Sequence, residues 1–159
     1  MLDTDPDGVQ RAVPPAVGLD RTFAARPESV GAARGMVTTW LRSSMRDEHL
    51  LIADVALAVS EACTNVVIHA YPSANDHDVF RVVAEADGEA VVVTVSDEGR
   101  GIAPRPDSPG AGLGLPLIAS TSDSFELRPP LGGRGTVVAM RFSAAGADAR
   151  ATARRRTAA

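Results

Sequence analysis

Residues 60–71 read SEACTNVVIHAY, and they continue an apolar run, LLIADVALAV, that occupies residues 50–59. A run of this density predicts a buried helix over about residues 48–69. Pro72 lies just beyond the run and ends the helix. Because a buried helix should avoid charge, the polar residues inside this one mark a candidate functional site.

Three polar side chains of this helix fall on one stripe. Asp54, Glu61 and Asn65 are separated by seven and four residues, which is close to whole helical turns. An unpaired carboxylate is costly to bury, so the stripe should face water or a ligand. Asn65 offers a neutral oxygen suited to Mg²⁺, and Glu61 could orient a water or take a hydroxyl proton. For the helix alone, a solvent-facing edge is an equal alternative. The positions expected on the opposite, apolar face include Leu57, Val66 and Ile68.

The whole chain has the composition of one soluble globular domain. It has 159 residues, 45% apolar and 23% charged, which is enough to bury a sizeable core. Its formal net charge of −4 gives no general attraction to nucleic acid. No apolar run approaches the roughly 20 residues that span a bilayer, and the N-terminus lacks a signal-peptide pattern. We therefore expect a cytoplasmic protein without direct nucleic-acid or membrane contact, in which the single Cys63 is a core residue.

Both ends of the chain are expected to lie outside the folded domain. Residues 1–20 are rich in Pro, Gly and Asp, which predicts a mobile arm. Residues 144–159 are low in complexity and predict a disordered tail, either solvated or touching an acidic partner through its run of arginines. The domain is therefore expected to cover residues 21–143.

The order of elements between these ends indicates an α+β fold. DRTFAA at residues 20–25 is a short strand candidate, and a helix with apolar residues at helical spacing follows it. Beyond the core helix, residues 78–99 predict a hairpin around Asp87-Gly88, and residues 124–144 predict a second one. A short helix, LPLIASTS, separates the two hairpins. We expect a two-layer sandwich, with helices on one face of a mostly antiparallel mixed sheet.

Two glycine motifs follow the core helix. VSDEGRGI places Asp97 at a strand end, followed by Gly99 and Gly101. An Asp there can accept a hydrogen bond from an exocyclic amine, and the glycines let the backbone approach a flat ring. GAGLGLPLI places three more glycines directly before a helix, whose terminal amides suit phosphate. Each motif alone is weak, and neither a Walker loop nor a βαβ dinucleotide motif is present.

Together the motifs are far more specific. Glu-x-x-x-Asn on a helix, then Asp-x-Gly-x-Gly, then Gly-x-Gly-x-Gly, resembles the ATP-binding superfamily of gyrase, Hsp90, histidine kinases and MutL. The GGRGT stretch, with Gly135-Thr136, adds to the resemblance. Within that superfamily, SEACTNVVIHAY and GLGLPLI look most like the bacterial anti-sigma factor serine/threonine kinases. The resemblance runs from about Thr22 to Phe142.

The resemblance implies roles by position. Glu61 would be the catalytic general base toward a protein hydroxyl, and Asn65 would hold Mg²⁺ that bridges the ATP phosphates. Asp97 would accept the adenine amino group, with Thr136 supporting it. His69 and Tyr71 match the end of the helix motif, where a structural role suffices. The implied cofactor-binding set is Asn65, Asp97, Gly99, Gly101, Gly110, Gly112, Leu113, Gly114 and Thr136.

The chain has no lysine, so phosphate charge would be met by Mg²⁺, helix amides and an arginine. Arg100 and Arg105 flank the glycine-rich lid and are the candidates, with solvated or partner-facing roles as the alternative. The segment between Gly101 and Gly110 is short for a nucleotide lid.

The resemblance also implies a function: an ATP- and Mg²⁺-dependent kinase that acts as an anti-sigma factor. Its partners would be a sigma factor and a STAS-type anti-anti-sigma protein, which it would phosphorylate on serine or threonine. The alternative is an ATP-binding module that sequesters a partner without phosphotransfer. The first long helix, with Val30, Val37 and Trp40, is available for a homodimer or a sigma contact, although core packing is the simpler use.

Overall fold

The computed structural model of the chain describes residues 16–44, 49–73, 75–86, 90–101 and 114–157. Its strands form one sheet in the order β1-β2-β3-β5-β4, and each neighbouring pair is antiparallel. The α+β prediction is therefore confirmed, with antiparallel pairs where a mixed sheet was expected. The five strands are β1 (Ala16–Ala24), β2 (Val79–Ala86), β3 (Ala90–Asp97), β4 (Ser124–Arg128) and β5 (Thr136–Ser143).

Among the described residues, four α-helices accompany the sheet. The predicted helices all form, and the core helix changes from α to π geometry after Asn65, over Val66–Ala70. Such π-helical turns are uncommon and are frequently found at functional sites. The α-helices are α1 (Pro27–Ser44), α2 (His49–Asn65), α3 (Gly114–Thr121) and α4 (Ala144–Thr157).

The inner face of the sheet is set by alternation along its strands. In β3, Val91, Val93 and Val95 are buried, while the residues between them are only partly covered. Asp97 is the next residue on the same face, and it lies opposite Thr136 of β5. The buried row thus ends in a carboxylate. The other strands add to this face Phe80, Val82, Ala84, Val138, Met140 and Phe142.

Helix α2 lies at the centre of the core. Its burial also settles the role of Cys63, which is completely buried, and burial raises the pKa of its thiol to about 12. The structural interpretation of this cysteine is confirmed. The expected apolar face was partly wrong, because Leu57 and Ile68 are 40% and 47% exposed and only Val66 is buried. The face that packs on the core consists of Leu51, Val55, Ala58, Val59, Ala62 and Cys63.

Helix α1 packs against β1 and α2. Val37 is fully buried, and Val30 and Trp40 pack against the core, so core packing explains the apolar face of this helix. Gly18 of β1 makes room for the Trp40 ring, which a Cβ there would meet at 2.2 Å.

Both predicted domain boundaries differ from the structure. Strand β1 begins at Ala16, so the last five residues of the expected arm belong to the sheet; residues 1–15 lie outside the described part. The expected disordered tail instead forms α4 through Thr157. Ala147 of α4 is buried, and Arg150 pairs with Asp54 of α2. The residues of this tail are mostly small or charged, and such a composition predicts no structure. In the fold, α4 is held by the buried Ala147 and by ion pairs of Arg150 and Arg154 with Asp54.

The helical segment His49–Ala70 is long and apolar enough to cross a membrane by composition, with a mean hydropathy of 1.7. Half of that window is buried inside the fold. The core helix of a soluble domain passes the same test, and α2 occupies that position here.

Gly35 in the middle of α1 should be replaceable with a gain in stability. It is exposed, and a Cβ there would meet nothing within 4 Å. We expect Gly35→Ala to raise the free energy of unfolding by about 0.5–1 kcal/mol, because alanine favours the helix and restricts the unfolded chain. Urea denaturation measures the change. Gly135→Ala is the opposite control, since Gly135 has φ +109° and a Cβ would lie 1.9 Å from the carbonyl oxygen of Asp97.

Candidate functional site

Asp97 is a buried carboxylate at the end of β3. Its side chain accepts a hydrogen bond from the Gly99 amide at 2.8 Å, and Thr136 contributes backbone and side-chain hydrogen bonds. Burial raises the pKa of Asp97 above its ordinary value, and these hydrogen bonds only partly offset the effect. A carboxylate held in such an environment, in a position set by two strands, is typical of a binding site.

The motif after Asp97 is fastened to the end of the core helix. The Arg100 amide donates to the Ala70 carbonyl at 3.0 Å, and its Nε donates to the His69 carbonyl at 2.8 Å. These carbonyls end a helix, where a cation is stabilised by the helix dipole. Gly99 is required here because a Cβ would lie 2.4 Å from the Ala70 oxygen. The guanidinium of Arg100 therefore has a structural partner, which explains its presence without a phosphate.

Tyr71 makes a second connection at this point, in the structural role expected for it. Its hydroxyl donates to the Val79 carbonyl at 2.6 Å and accepts from the Glu98 amide at 3.2 Å. One side chain thus links the end of the helix to β2 and to the turn after β3.

Gly101 and Gly135 approach each other beside Asp97. They have φ values of +81° and +109°, which favour glycine. A Cβ on Gly101 would lie 3.2 Å from the Gly135 carbonyl oxygen. Two glycine-containing loops therefore meet at the strand end that carries Asp97 and Thr136.

Glu61 and Asn65 converge on the first residue of α3. A Cβ on Gly114 would lie 3.1 Å from Asn65 Oδ1 and 3.4 Å from Glu61 Oε2. The N-terminus of α3, with its unpaired amides and positive dipole end, thus lies over the carboxylate and the amide of α2. A side chain on Gly114 would crowd Asn65 and Glu61, so glycine allows the start of α3 to approach them closely. The structure brings these three predicted site residues together.

Within the described part of the chain, neither Glu61 nor Asn65 has a side-chain hydrogen bond or an ion pair. Both side chains are nevertheless only partly exposed. The described residues also contain no group of three His, Cys, Asp or Glu side chains that could hold a metal. A Mg²⁺ ion at Asn65 would consequently need oxygens from phosphates and water, which is its usual mode of binding beside a nucleotide.

Asp54 does not share this site, contrary to the expectation for the polar stripe. Its carboxylate is buried and accepts from Arg150 Nε at 2.9 Å and Arg154 Nη2 at 3.3 Å. Asp54 is thus neutralised by α4. The predicted residues Gly110, Gly112, Leu113 and Arg105 lie outside the described residues, so their roles stay predictions.

The chain is similar in sequence to proteins of a known family. Residues 23–142 match the family model of the histidine kinase-like ATPase domain. The chain belongs to that family. Over 135 residues it is 31% identical to the anti-sigma F factor of Clostridium acetobutylicum, spanning 77% of this chain and 91% of that protein. The family expected from the motifs is therefore confirmed, with the anti-sigma F factors as relatives.

Two further proteins are similar to this chain, one in sequence and one in structure. The chain is 35% identical over 100 residues to the anti-sigma F factor of Pasteuria penetrans, which covers 56% of this chain and 66% of that one. Among solved structures, the RsbU and RsbW domains of Rv1364c from Mycobacterium tuberculosis give a TM-score of 0.58 at 25% identity. That similarity covers 82% of this chain and 32% of the other. The fold of this ATPase-domain family thus accounts for the sheet and the core helix.

Several residues of the site were not found from the sequence. Tyr71 was assigned only a structural role without partners, and Gly135 was noted only as part of a recurring Gly-Thr. Away from the site, Arg150 and Asp123 gave no sequence signal, because Arg150 meets Asp54 and Asp123 only through the tertiary fold.

Asp97→Asn should make the nucleotide-free protein more stable at neutral pH. The pKa of Asp97 lies above its ordinary value of 3.8. Stability from this group is therefore present below the unfolded pKa and is lost as pH rises through the folded pKa. Asparagine does not ionise, so the Tm of the variant minus that of the wild type should grow from about pH 4 to about pH 7. Calorimetry at several pH values measures it; a difference that shrinks with rising pH would contradict the assignment.

Proposed function

We propose that this protein is an ATP- and Mg²⁺-dependent serine/threonine kinase that acts as an anti-sigma factor in the cytoplasm. It would bind an RNA polymerase sigma factor and phosphorylate a STAS-type anti-anti-sigma protein. The observation that carries the proposal is the convergence of Glu61 and Asn65, both without described partners, on the N-terminus of α3 at Gly114. Membership in a family whose relatives are named anti-sigma F factors supports the partner class.

The residues present fit a nucleotide. Gly114 lets the start of α3 approach Asn65 and Glu61 without a side chain between them, and the helix amides around it suit phosphate oxygens. Asp97, on the inner face of the sheet, would accept the adenine amino group, with Thr136 orienting its carboxylate. Gly99 and Gly101 keep the backbone near that edge free of side chains. Bound ATP with Mg²⁺ would supply the phosphoryl group and neutralise its charge.

Glu61 would act as the base. A carboxylate without an ion pair can accept the proton of a serine hydroxyl as that oxygen is phosphorylated. Asn65, one turn further along α2, would hold the metal through its side-chain oxygen. The buried Asp54, which is paired with Arg150, cannot substitute for Glu61.

Asp97→Asn should weaken ATP binding strongly. The charged acceptor is lost, and hydrogen bonds to charged groups are worth about 1.5–3 kcal/mol, or roughly 10–100-fold in affinity. Titration with a fluorescent ATP analogue and Mg²⁺ measures this. The same variant is expected to be at least as stable as the wild type, so a loss of affinity cannot be ascribed to unfolding. Unchanged affinity would show that Asp97 is not the base-binding residue.

Glu61→Gln should keep ATP and partner binding but lose phosphotransfer. Removing a general base costs about 10²–10⁴-fold in rate, while glutamine preserves the size of the side chain. The assay is incubation with labelled ATP, Mg²⁺ and a purified STAS-type protein, followed by phosphosite mapping. Asn65→Ala should also abolish transfer, through loss of the metal.

The outcomes separate the two candidate functions. Transfer to serine or threonine by the wild type, lost in Glu61→Gln, supports the kinase. Tight ATP-dependent partner binding without transfer by the wild type would support the sequestering module instead. The homodimer stays a prediction of the sequence, which light scattering tests.

A further inference from the structure

Arg150 of α4 joins α2 to the far end of α3, and Arg154 adds longer contacts to Asp54 at 3.3 Å and to the Ser120 carbonyl of α3 at 3.5 Å. Arg150 Nε donates to Asp54 Oδ2 at 2.9 Å, and its Nη1 donates to Asp123 Oδ1. Asp54 lies on α2, and Asp123 is the second residue after α3. The Arg150 side chain is only 16% exposed, so its guanidinium forms a largely buried bridge.

Asp123 is itself held from several sides. Its second oxygen accepts from Ser143 Oγ at 2.6 Å, and its amide donates to the Arg141 carbonyl at 2.8 Å. Gly146 lets α4 approach, because a Cβ there would lie 1.8 Å from Asp123 Oδ1. Burial alone would raise the pKa of Asp123, but hydrogen bonds from Ser143 and Arg150 bring it below its ordinary value. The group is therefore a fixed, charged anchor at neutral pH.

The two ends of α3 lie over two points of the α2 stripe. Gly114 at its start meets Asn65 and Glu61, and Asp123 beyond its end reaches Asp54 through Arg150. Eleven residues separate Asp54 from Asn65, which is about 16 Å along a helix, and nine separate Gly114 from Asp123, about 14 Å. The two lengths differ by less than the length of an arginine side chain. Helix α3 therefore runs antiparallel to α2, along its polar stripe.

Helix α3 is short and packs mainly against α2. It has eight residues, of which Ile118 and Thr121 are buried. A helix this short is marginal by itself and takes its position from tertiary contacts. An anchor at its far end would add to the packing on α2 in fixing where its N-terminal amides lie.

We propose that Arg150 and Asp123 are positioning residues of the nucleotide site. By fixing the far end of α3 against α2, they hold the amides at Gly114 over Asn65 and Glu61. This role rests on the proposed ATP site, and it gives α4 a part in nucleotide binding although none of its residues touches the site. Small displacements of a positioned group are costly, up to about 10²-fold for 1 Å.

Asp123→Ala is the variant that tests the bridge, because it removes the contact of Asp123 with Arg150 and leaves the pair of Arg150 with Asp54 intact. In the nucleotide-free protein, hydrogen exchange of the α3 amides should become about tenfold faster, while α2 amides stay protected. Affinity for a fluorescent ATP analogue should fall about tenfold, with kcat at saturating ATP within about twofold of the wild type. Asp123→Asn repeats the test with a side chain of the same size in case the alanine variant does not fold.

Arg156→Ala is the matched control. Arg156 is exposed on the same helix and has no partner among the described residues, so neither measurement should change. Wild-type exchange and affinity in both Asp123 variants would overturn the inference and leave the proposed function standing. Faster exchange with unchanged affinity would also overturn it, because the bridge would then serve stability alone. A wild-type protein that binds no ATP would refute the proposed function, and the positioning role with it.

Discussion

The packing of α2 on the inner face of the sheet is the interaction on which the rest of the structure depends. Its apolar side covers the apolar inner rows of β3 and β5, while its other side carries Asp54, Glu61 and Asn65. Burial at about 25 cal/mol per Å² of apolar surface fixes the axis of the helix, and with it the direction of each polar residue. The site is thus a consequence of how the core is filled.

Helix α2 carries two carboxylates that differ in burial and in pairing. Asp54 is buried and paired with arginines from α4, so it serves the fold. Glu61, two turns later, has no partner among the described residues and meets the start of α3. An unpaired polar group that is partly buried reduces stability, and such groups persist at functional sites. The contrast between these two residues indicates a functional role for Glu61 and a structural role for Asp54.

The fold and the centre of the site could be predicted from the sequence. Asp97 follows the alternation of β3, and Glu61 and Asn65 follow the helical period, so local patterns are enough to place them on one strand face and one helix stripe. Asp54 follows the same period, but its partner Arg150 lies 96 residues away, and no local pattern reports that pairing. For the same reason α4 was missed, since its sequence has no apolar stripe and its stability comes from ion pairs to distant residues.

The exposed face of α2 shows a related limit. Leu57 and Ile68 satisfy the apolar period, yet they lie outside the core because α1, α3 and α4 cover other sides of the helix. Periodicity indicates that a helix has an apolar side, but the direction of burial depends on which other elements of the fold pack around the helix.

The two edge strands of the sheet, β4 and β1, are poorly suited to pair with a strand of another protein. Strand β4 has five residues and is followed by Pro129 and Pro130, which have no amide hydrogen to donate. Strand β1, at the other edge, has an irregular register between Val17 and Leu19 and exposes Arg21. Short strands, prolines, bulges and charge all disfavour edge pairing. Association with other proteins by strand addition is therefore disfavoured at both margins, so recognition depends on side-chain contacts rather than on strand pairing.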